Sequence, residues 1–214
     1  MEKQAQNDVI QEDFIDCYSN LTLKSVVMLK LFTFCSKCKY LLKADEDVLI
    51  NVNKIVGMLS VKSNIKNLLT GRLLSYEKPV RRFGRKWFSP RYMYPEKTYP
   101  NFVAGPAYLM SLDVAKKLYE KALTIPLFHL EDVFITGICA RKARIQPINN
   151  KLFVDYSVAI RNWFKMLSIH GVNLIKLRQM KSDFDPVRCI IINRKLRNPS
   201  KWNTLHLKLT DNRK

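Results

Sequence analysis

Residues 39–50 read Lys-Tyr-Leu-Leu-Lys-Ala-Asp-Glu-Asp-Val-Leu-Ile, and this stretch constrains the fold more than any other. Two apolar runs, at 40–42 and 48–50, are too short for helices, and each is bounded by a polar break. Runs of that length read as buried strands. The break between them carries Asp45 and Asp47. An Asp-x-Asp at a strand end can present both carboxylates to one hard cation, the ligand type that magnesium or manganese prefers.

Helical spacing surrounds these strands. In residues 22–34 Leu23, Val27, Leu31 and Phe34 share a stripe widened by Val26, Leu29 and Phe32, which predicts a largely buried helix. Asn51 is placed to cap a helix to about Leu59, and Ser111 one from about Leu112 to Leu123 with Ala115, Leu118, Tyr119 and Ala122 inward. A further helix is expected from near Glu131 to about Lys142. The apolar run 68–74 is broken by Gly71. Residues 76–106 are rich in proline, with Trp87, Tyr92, Tyr94 and Tyr99 among them, and read as loops or edge strands. Their aromatics suit either a binding surface or packing on the core. Strands alternating with helices favour an α/β sandwich.

The 214 residues suffice for one large domain or at most two small ones, with a real core. No stretch approaches the ~18 uncharged apolar residues of a membrane span. The polar N-terminus carries no signal peptide or anchor. A net charge of +19 invites a nucleic-acid partner. The charge is spread along the chain, however, densest at 81–85 and in the last forty residues, and no zinc-finger, RNP-like or basic-heptad pattern accompanies it. A nucleic-acid role is therefore disfavoured. The charge also suits a phosphate-bearing substrate or an acidic membrane face. The five cysteines form no metal framework: the CxxC pair Cys35 and Cys38 has no second pair or nearby histidine, and it follows a helix, unlike a redox motif.

A second acidic pair, Glu131-Asp132, stands between the apolar segments 126–130 and 133–134. Acids in a first helical turn can simply offset the helix dipole. Facing a cleft, one of them can instead serve as general base for a hydroxyl. With a metal-binding carboxylate pair, the parts are those of a metal-dependent group transfer.

Five ordered blocks resemble the β-1,3-galactosyltransferase family, glycosyltransferase family 31. Residues 13–24 (Asp-Phe-Ile-Asp-Cys-Tyr-Ser-Asn-Leu-Thr-Leu-Lys) are similar to its DF-D-Y-NLTLK block, and Lys43-Ala-Asp-Glu-Asp-Val48 to its K-x-D-x-D-V strand. Residues 86–89, 99–108 and 131–134 resemble its KW-S, YP-Y-G-GY and EDV blocks. The resemblance implies a GT-A-like nucleotide-sugar-binding sandwich with a mixed, mostly parallel sheet flanked by helices. It implies inverting transfer of galactose or N-acetylglucosamine from a UDP-sugar to an acceptor 3-hydroxyl on a protein or lipid glycan. It further implies Mn²⁺ held by Asp47, Asp45 and a late histidine, here His170, with Asp45 also reaching the ribose. Asp132 becomes the base and Glu131 its support. Lys43, Arg72 and Lys86 add to the phosphate field, and Trp87, Tyr108 and the loop at Gly105 line the donor and acceptor pocket.

The resemblance implies a Golgi-membrane enzyme with a lumenal catalytic domain, and by it this chain is expected to start after the family's anchor, stem and first βαβ unit. The catalytic domain is accordingly expected over residues 1–172, incomplete at its start, with a basic extension over 173–214. Cys17 stands where a serine is common, and Glu46 at a variable position. A catalytically inactive relative that binds sugar nucleotide or glycan is the alternative reading.

Overall fold

The computed structural model describes residues 12–15, 17–61, 65–155, 164–171 and 189–192, the last four through their backbone. In chain order, a 3-10 turn (Tyr18–Asn20) leads into α1 (Leu21–Thr33), β1 (Tyr40–Ala44), β2 (Val48–Ile50), α2 (Val52–Val61), β3 (Leu69–Leu74), β4 (Phe102–Ser111) and α3 (Leu112–Ala122). There follow α4, which starts helical at Glu131 and Asp132, is π-helical over Val133–Cys139 and α-helical over Ala140–Lys142, then β5 (Ile148–Asn149), β6 (Phe153–Val154), β7 (Ser168–His170) and β8 (Cys189–Ile192). A five-stranded sheet is ordered β5-β3-β4-β1-β8 and a three-stranded sheet β2-β7-β6.

The expected mixed α/β architecture is present, but the expectation of a mostly parallel sheet is not met. Four of the six strand pairings among the described residues are antiparallel and two parallel. Parallel neighbours need a crossover, usually a helix. Between β3 and β4 the chain instead runs through the proline-rich segment 75–101, and β4 returns antiparallel to β3. Residues 48–50 form a strand, as expected, and it belongs to the second sheet. Of the expected extension, residues 189–192 pair with β1, so the expected boundary at 172 does not separate β8 from the sheet.

Alternation along β1 shows why the central strand is apolar on both faces. Leu41 packs with α1, α3 and α4 in one core, beside Tyr108 and Met110 of β4. Tyr40, Leu42 and Ala44 face a second core with Ala107, Leu109, Ile55 and Leu59 of α2, and Val48 and Ile50 of β2. Successive side chains point to opposite faces, so a strand covered on both sides reads as a continuous apolar run. Lys43 is therefore placed on the face of Leu41 and Tyr108, the one that α4 covers. Each fully buried Leu in these cores contributes about 1.5–3 kcal/mol.

Helix α1 falls one residue earlier at each end than the expected 22–34, its buried stripe is Thr22, Ser25, Leu29 and Phe32, and Phe34 is exposed. Spacing alone favoured the bulkier neighbouring stripe. Thr22 is drawn inward because its hydroxyl donates to the carbonyl of Phe128 at 2.8 Å. Thr22→Val keeps the shape and leaves that carbonyl unpaired. It is expected to lower unfolding stability by about 1–3 kcal/mol, read as a fall in the urea midpoint at constant slope.

Asn51 caps α2 as expected, its Oδ1 accepting the Lys54 N–H at 3.1 Å. The Ser111 side chain does not cap α3: its hydroxyl oxygen accepts the Leu68 N–H instead, at 3.0 Å. The loop aromatics divide. Tyr94 and Tyr99 are core residues with rings tilted against Phe128, whereas Trp87 and Tyr92 are exposed.

Candidate active site

The site forms where the C-terminal end of β1, the middle of β4 and the start of α4 meet. Glu131 and Asp132 occupy the first turn of α4, as expected. The helix then widens into π geometry, a form often found at functional sites. Two contacts hold the widened turn to β4. The Thr136 hydroxyl accepts the Val103 N–H at 3.0 Å and donates to the Asp132 carbonyl at 2.6 Å. At Gly137, a Cβ would stand 3.1 Å from the Phe102 Cβ and 3.2 Å from Pro100, tighter than ordinary contact, so glycine lets the helix sit this close.

Asp132 is fixed by two backbone donors: Oδ1 accepts from Val133 at 2.8 Å and Oδ2 from Gly105 at 3.1 Å. Burial, with Glu131 beside it, pushes its pKa up to about 6, against the opposing pull of those two N–H groups and Lys43. Such a carboxylate is ionised at neutral pH yet accepts a proton readily, the property a general base needs. Gly105 is pressed close against it: an added Cβ would lie 3.3 Å from Oδ2.

Glu131 is buried, 4% exposed. Its Oε1 accepts the Tyr108 hydroxyl at 2.6 Å, and its Oε2 lies 3.8 Å from the Lys43 ammonium. The Lys43 Nζ also donates to Asp45 Oδ1 and to the Gly105 carbonyl, the latter at 2.6 Å. Burial works against its charge, but Glu131 and Asp45 outweigh it and hold the ammonium above the ordinary lysine range.

Asp47 stands at the start of β2 and meets His170 of β7. The antiparallel register pairs Val48 with His170, and His170 Nε2 lies 3.1 Å from Asp47 Oδ2. The other ring nitrogen, Nδ1, is 3.1 Å from the Asp155 carbonyl, which only accepts, so Nδ1 carries the proton in that contact. Nε2 then offers Asp47 either an imidazolium N–H or a lone pair to share with a cation. A histidine oriented by a backbone carbonyl is the usual arrangement of a metal-ligating ring.

The three expected metal ligands do not gather into one set. Among the described residues, no three His, Cys, Asp or Glu side chains converge as a metal site. Asp45 is turned to Lys43 while Asp47 is turned to His170. Asp47 and His170 are both open to solvent in part, and as one carboxylate and one imidazole they could supply two ligands to a divalent ion.

Two further expectations change. Tyr108 does not line a pocket, because it is fully buried between β1 and α4 with its hydroxyl on Glu131. Arg72 is paired with Asp155, next to the histidine. Lys86 and Trp87 gather with Tyr18. The Lys86 Nζ lies 5.0 Å from the Tyr18 ring centroid and 5.9 Å from that of Trp87, and the indole N–H donates to the Tyr18 hydroxyl at 3.1 Å.

Tyr18 is a site residue to which the sequence reading gave no role. Its phenol pKa is raised by burial and by the nearby charges of Asp132, Asp45 and Glu131, against the Trp87 hydrogen bond. That places an aromatic ring at the mouth of the acidic cluster. The signal was its presence in the first of the five blocks. Asp155 gave no signal, since its role depends on chain segments brought together only by folding.

A family model described as galactosyltransferase matches residues 1–151. Beta-1,3-galactosyltransferase 1 of Homo sapiens and of Mus musculus are each 35% identical to this chain over 187 residues, covering 85% of it and 57% of the relative. Beta-1,3-galactosyltransferase 5 of Homo sapiens is 37% identical over 146 residues, covering 68% of this chain and 47% of the relative. The chain thus spans between about half and three fifths of the length of these relatives. By that match, and by the acidic motifs standing in the family's order around one site, the chain belongs to the galactosyltransferase family.

Proposed function

We propose that the chain is an inverting hexosyltransferase with a GT-A-type fold, moving galactose or N-acetylglucosamine from a UDP-sugar to the 3-hydroxyl of a protein or lipid glycan. The observation that carries this reading is Asp132. It is a carboxylate held by two backbone N–H groups and raised to about 6, next to a cluster that also contains Asp45.

In the reaction the acceptor hydroxyl donates its hydrogen bond to Asp132. As its oxygen attacks the anomeric carbon, the bond from that carbon to the UDP oxygen breaks and the hydroxyl proton passes to Asp132. One displacement inverts the anomeric centre and needs no enzyme nucleophile, the one-step logic of inverting glycosidases with a sugar hydroxyl in place of water. Asp47 and His170 are the residues to hold Mn²⁺, which when bound supplies positive charge for the departing diphosphate. Glu131 orients the start of α4 through Tyr108. Tyr18 and Trp87 offer the sugars an aromatic rim, with Lys86 beside it for the diphosphate charge.

The Cys35–Cys38 disulfide supports a place in an oxidising lumen such as that of the Golgi. No helix among the described residues is long and apolar enough to cross a membrane.

The test is incubation of the chain with UDP-galactose or UDP-N-acetylglucosamine, a β-glycoside acceptor and Mn²⁺, with product linkage read by NMR. A β-1,3-linked product is expected, lost on chelation and restored by Mn²⁺. Turnover that survives chelation contradicts the metal assignment. Calorimetric binding of UDP and Mn²⁺ without product selects the inactive-relative reading.

A further inference from the structure

The two acidic motifs, distant in sequence, share one cation. Lys43 reaches them because strand alternation puts it on the face of β1 that α4 covers. We propose that Lys43 is a positioning residue that links the donor-side carboxylate Asp45 to the acceptor-side pair Glu131 and Asp132, rather than a ligand of the donor's phosphates. The terms donor side and acceptor side rest on the transferase reading above; the linkage itself rests on geometry.

An ammonium has three donors and no acceptor. Here one goes to Asp45 Oδ1 and one to the Gly105 carbonyl at 2.6 Å, and Glu131 Oε2 lies 3.8 Å away. At 5% exposure the side chain has little surface left for a phosphate. Glu131 Oε2 is buried, and among the described residues no donor lies within hydrogen-bond distance of it. A buried carboxylate oxygen without a donor is costly, and the Lys43 charge offsets that cost.

Gly105 carries the link onward. Its carbonyl accepts from Lys43 and its N–H donates to Asp132 Oδ2 at 3.1 Å, so the backbone that Lys43 anchors is the backbone that seats the base. The absence of a side chain lets it sit this close, since a Cβ would crowd Asp132. Asp132 is faced by Glu131 and the Val133 N–H from its own helix, by the Gly105 N–H from β4, by Lys43 from β1, and by the phenols of Tyr18 and Tyr99. Of these, Glu131 opposes ionisation of Asp132, while Lys43 and the two N–H groups favour it. A change at Asp45 therefore reaches Asp132 through the lysine.

Carboxyl ¹³C NMR of the full chain without donor follows the Asp132 titration directly. Lys43→Met is expected to raise its midpoint from about 6 by about one pH unit, the scale of one lost opposite charge. The charge-neutral pair Lys43→Met with Asp45→Asn removes both partners together, so it leaves no orphaned Asp45, and the same rise is expected. A folded variant of either kind that titrates with the wild-type midpoint overturns the proposal. The unaltered chain offers a third reading: the Lys43 ¹⁵Nζ resonance should inflect at the Asp132 midpoint, and a flat trace there also overturns it. None of these readings needs turnover. A chain that transfers no sugar overturns the transferase reading while these titrations still decide the linkage. In an active chain, the acid limb of kcat/KM moves with the NMR midpoint, whereas a merely structural lysine would lower kcat without moving it.

Discussion

Asp132→Asn is expected to lower kcat for sugar transfer about a thousandfold, within the range that general-base catalysis contributes. Asparagine keeps the size of the side chain but not its ability to take a proton. Asp132 uses both oxygens, one on Val133 and one on Gly105. The amide has a single acceptor oxygen, so one of those N–H groups would face an NH₂. The variant is therefore also expected to lose about 1–3 kcal/mol of stability, and the kinetic comparison is made well below its unfolding midpoint.

The pH dependence separates the two effects. Burial and Glu131 hold the Asp132 carboxyl up at about 6. Since the base works ionised, kcat/KM of the wild type should fall tenfold per pH unit below about 6, and the asparagine variant should show no such limb. Stability moves the other way. A carboxyl whose folded pKa is raised binds its proton more tightly in the native state, so its stabilising contribution is full below the ordinary aspartate range of about 4 and is lost as pH rises through about 6. A wild-type acid limb that persists in Asp132→Asn would assign the base elsewhere.

Asp47→Ala is the other large change, with an expected loss of about a thousandfold in Mn²⁺-supported turnover, since a divalent ion supplies several kcal/mol of transition-state charge stabilisation. Asp47 and His170 present a carboxylate oxygen and a ring nitrogen 3.1 Å apart. His170→Ala should therefore also raise the Mn²⁺ concentration needed for half-maximal activity. Asp45→Asn should raise it less, because Asp45 Oδ1 is held by Lys43. Titrating Mn²⁺ against each variant gives the ranking. If Asp45→Asn removes the metal response and Asp47→Ala keeps it, the assignment of the two aspartates is reversed.

Much of this site was legible in the chain. The strand nature of 40–42 and 48–50, the cap at Asn51 and the helical start at Glu131-Asp132 all rest on local pattern: apolar run length, capping chemistry and ordered motifs. Local pattern failed where a side chain answered to a distant partner. Thr22 entered the core because a carbonyl at Phe128 awaited its hydroxyl. Tyr108, expected from the resemblance to line the pocket, is instead a core residue whose hydroxyl donates to the distant Glu131.

The sequence alone determined the family and the identity of the two acidic motifs, because residue type, order and short-range spacing are written directly in it. Only the tertiary structure decided how residues 39–50 divide. Their first strand joins the main sheet and their second the smaller one, so the acidic break spans two sheets. Asp45 turns back to Lys43, and Asp47 turns outward to His170. The reason is register: which carboxylate meets which partner depends on how strands far apart in the chain align, and that alignment is settled by burying both faces of β1 at once.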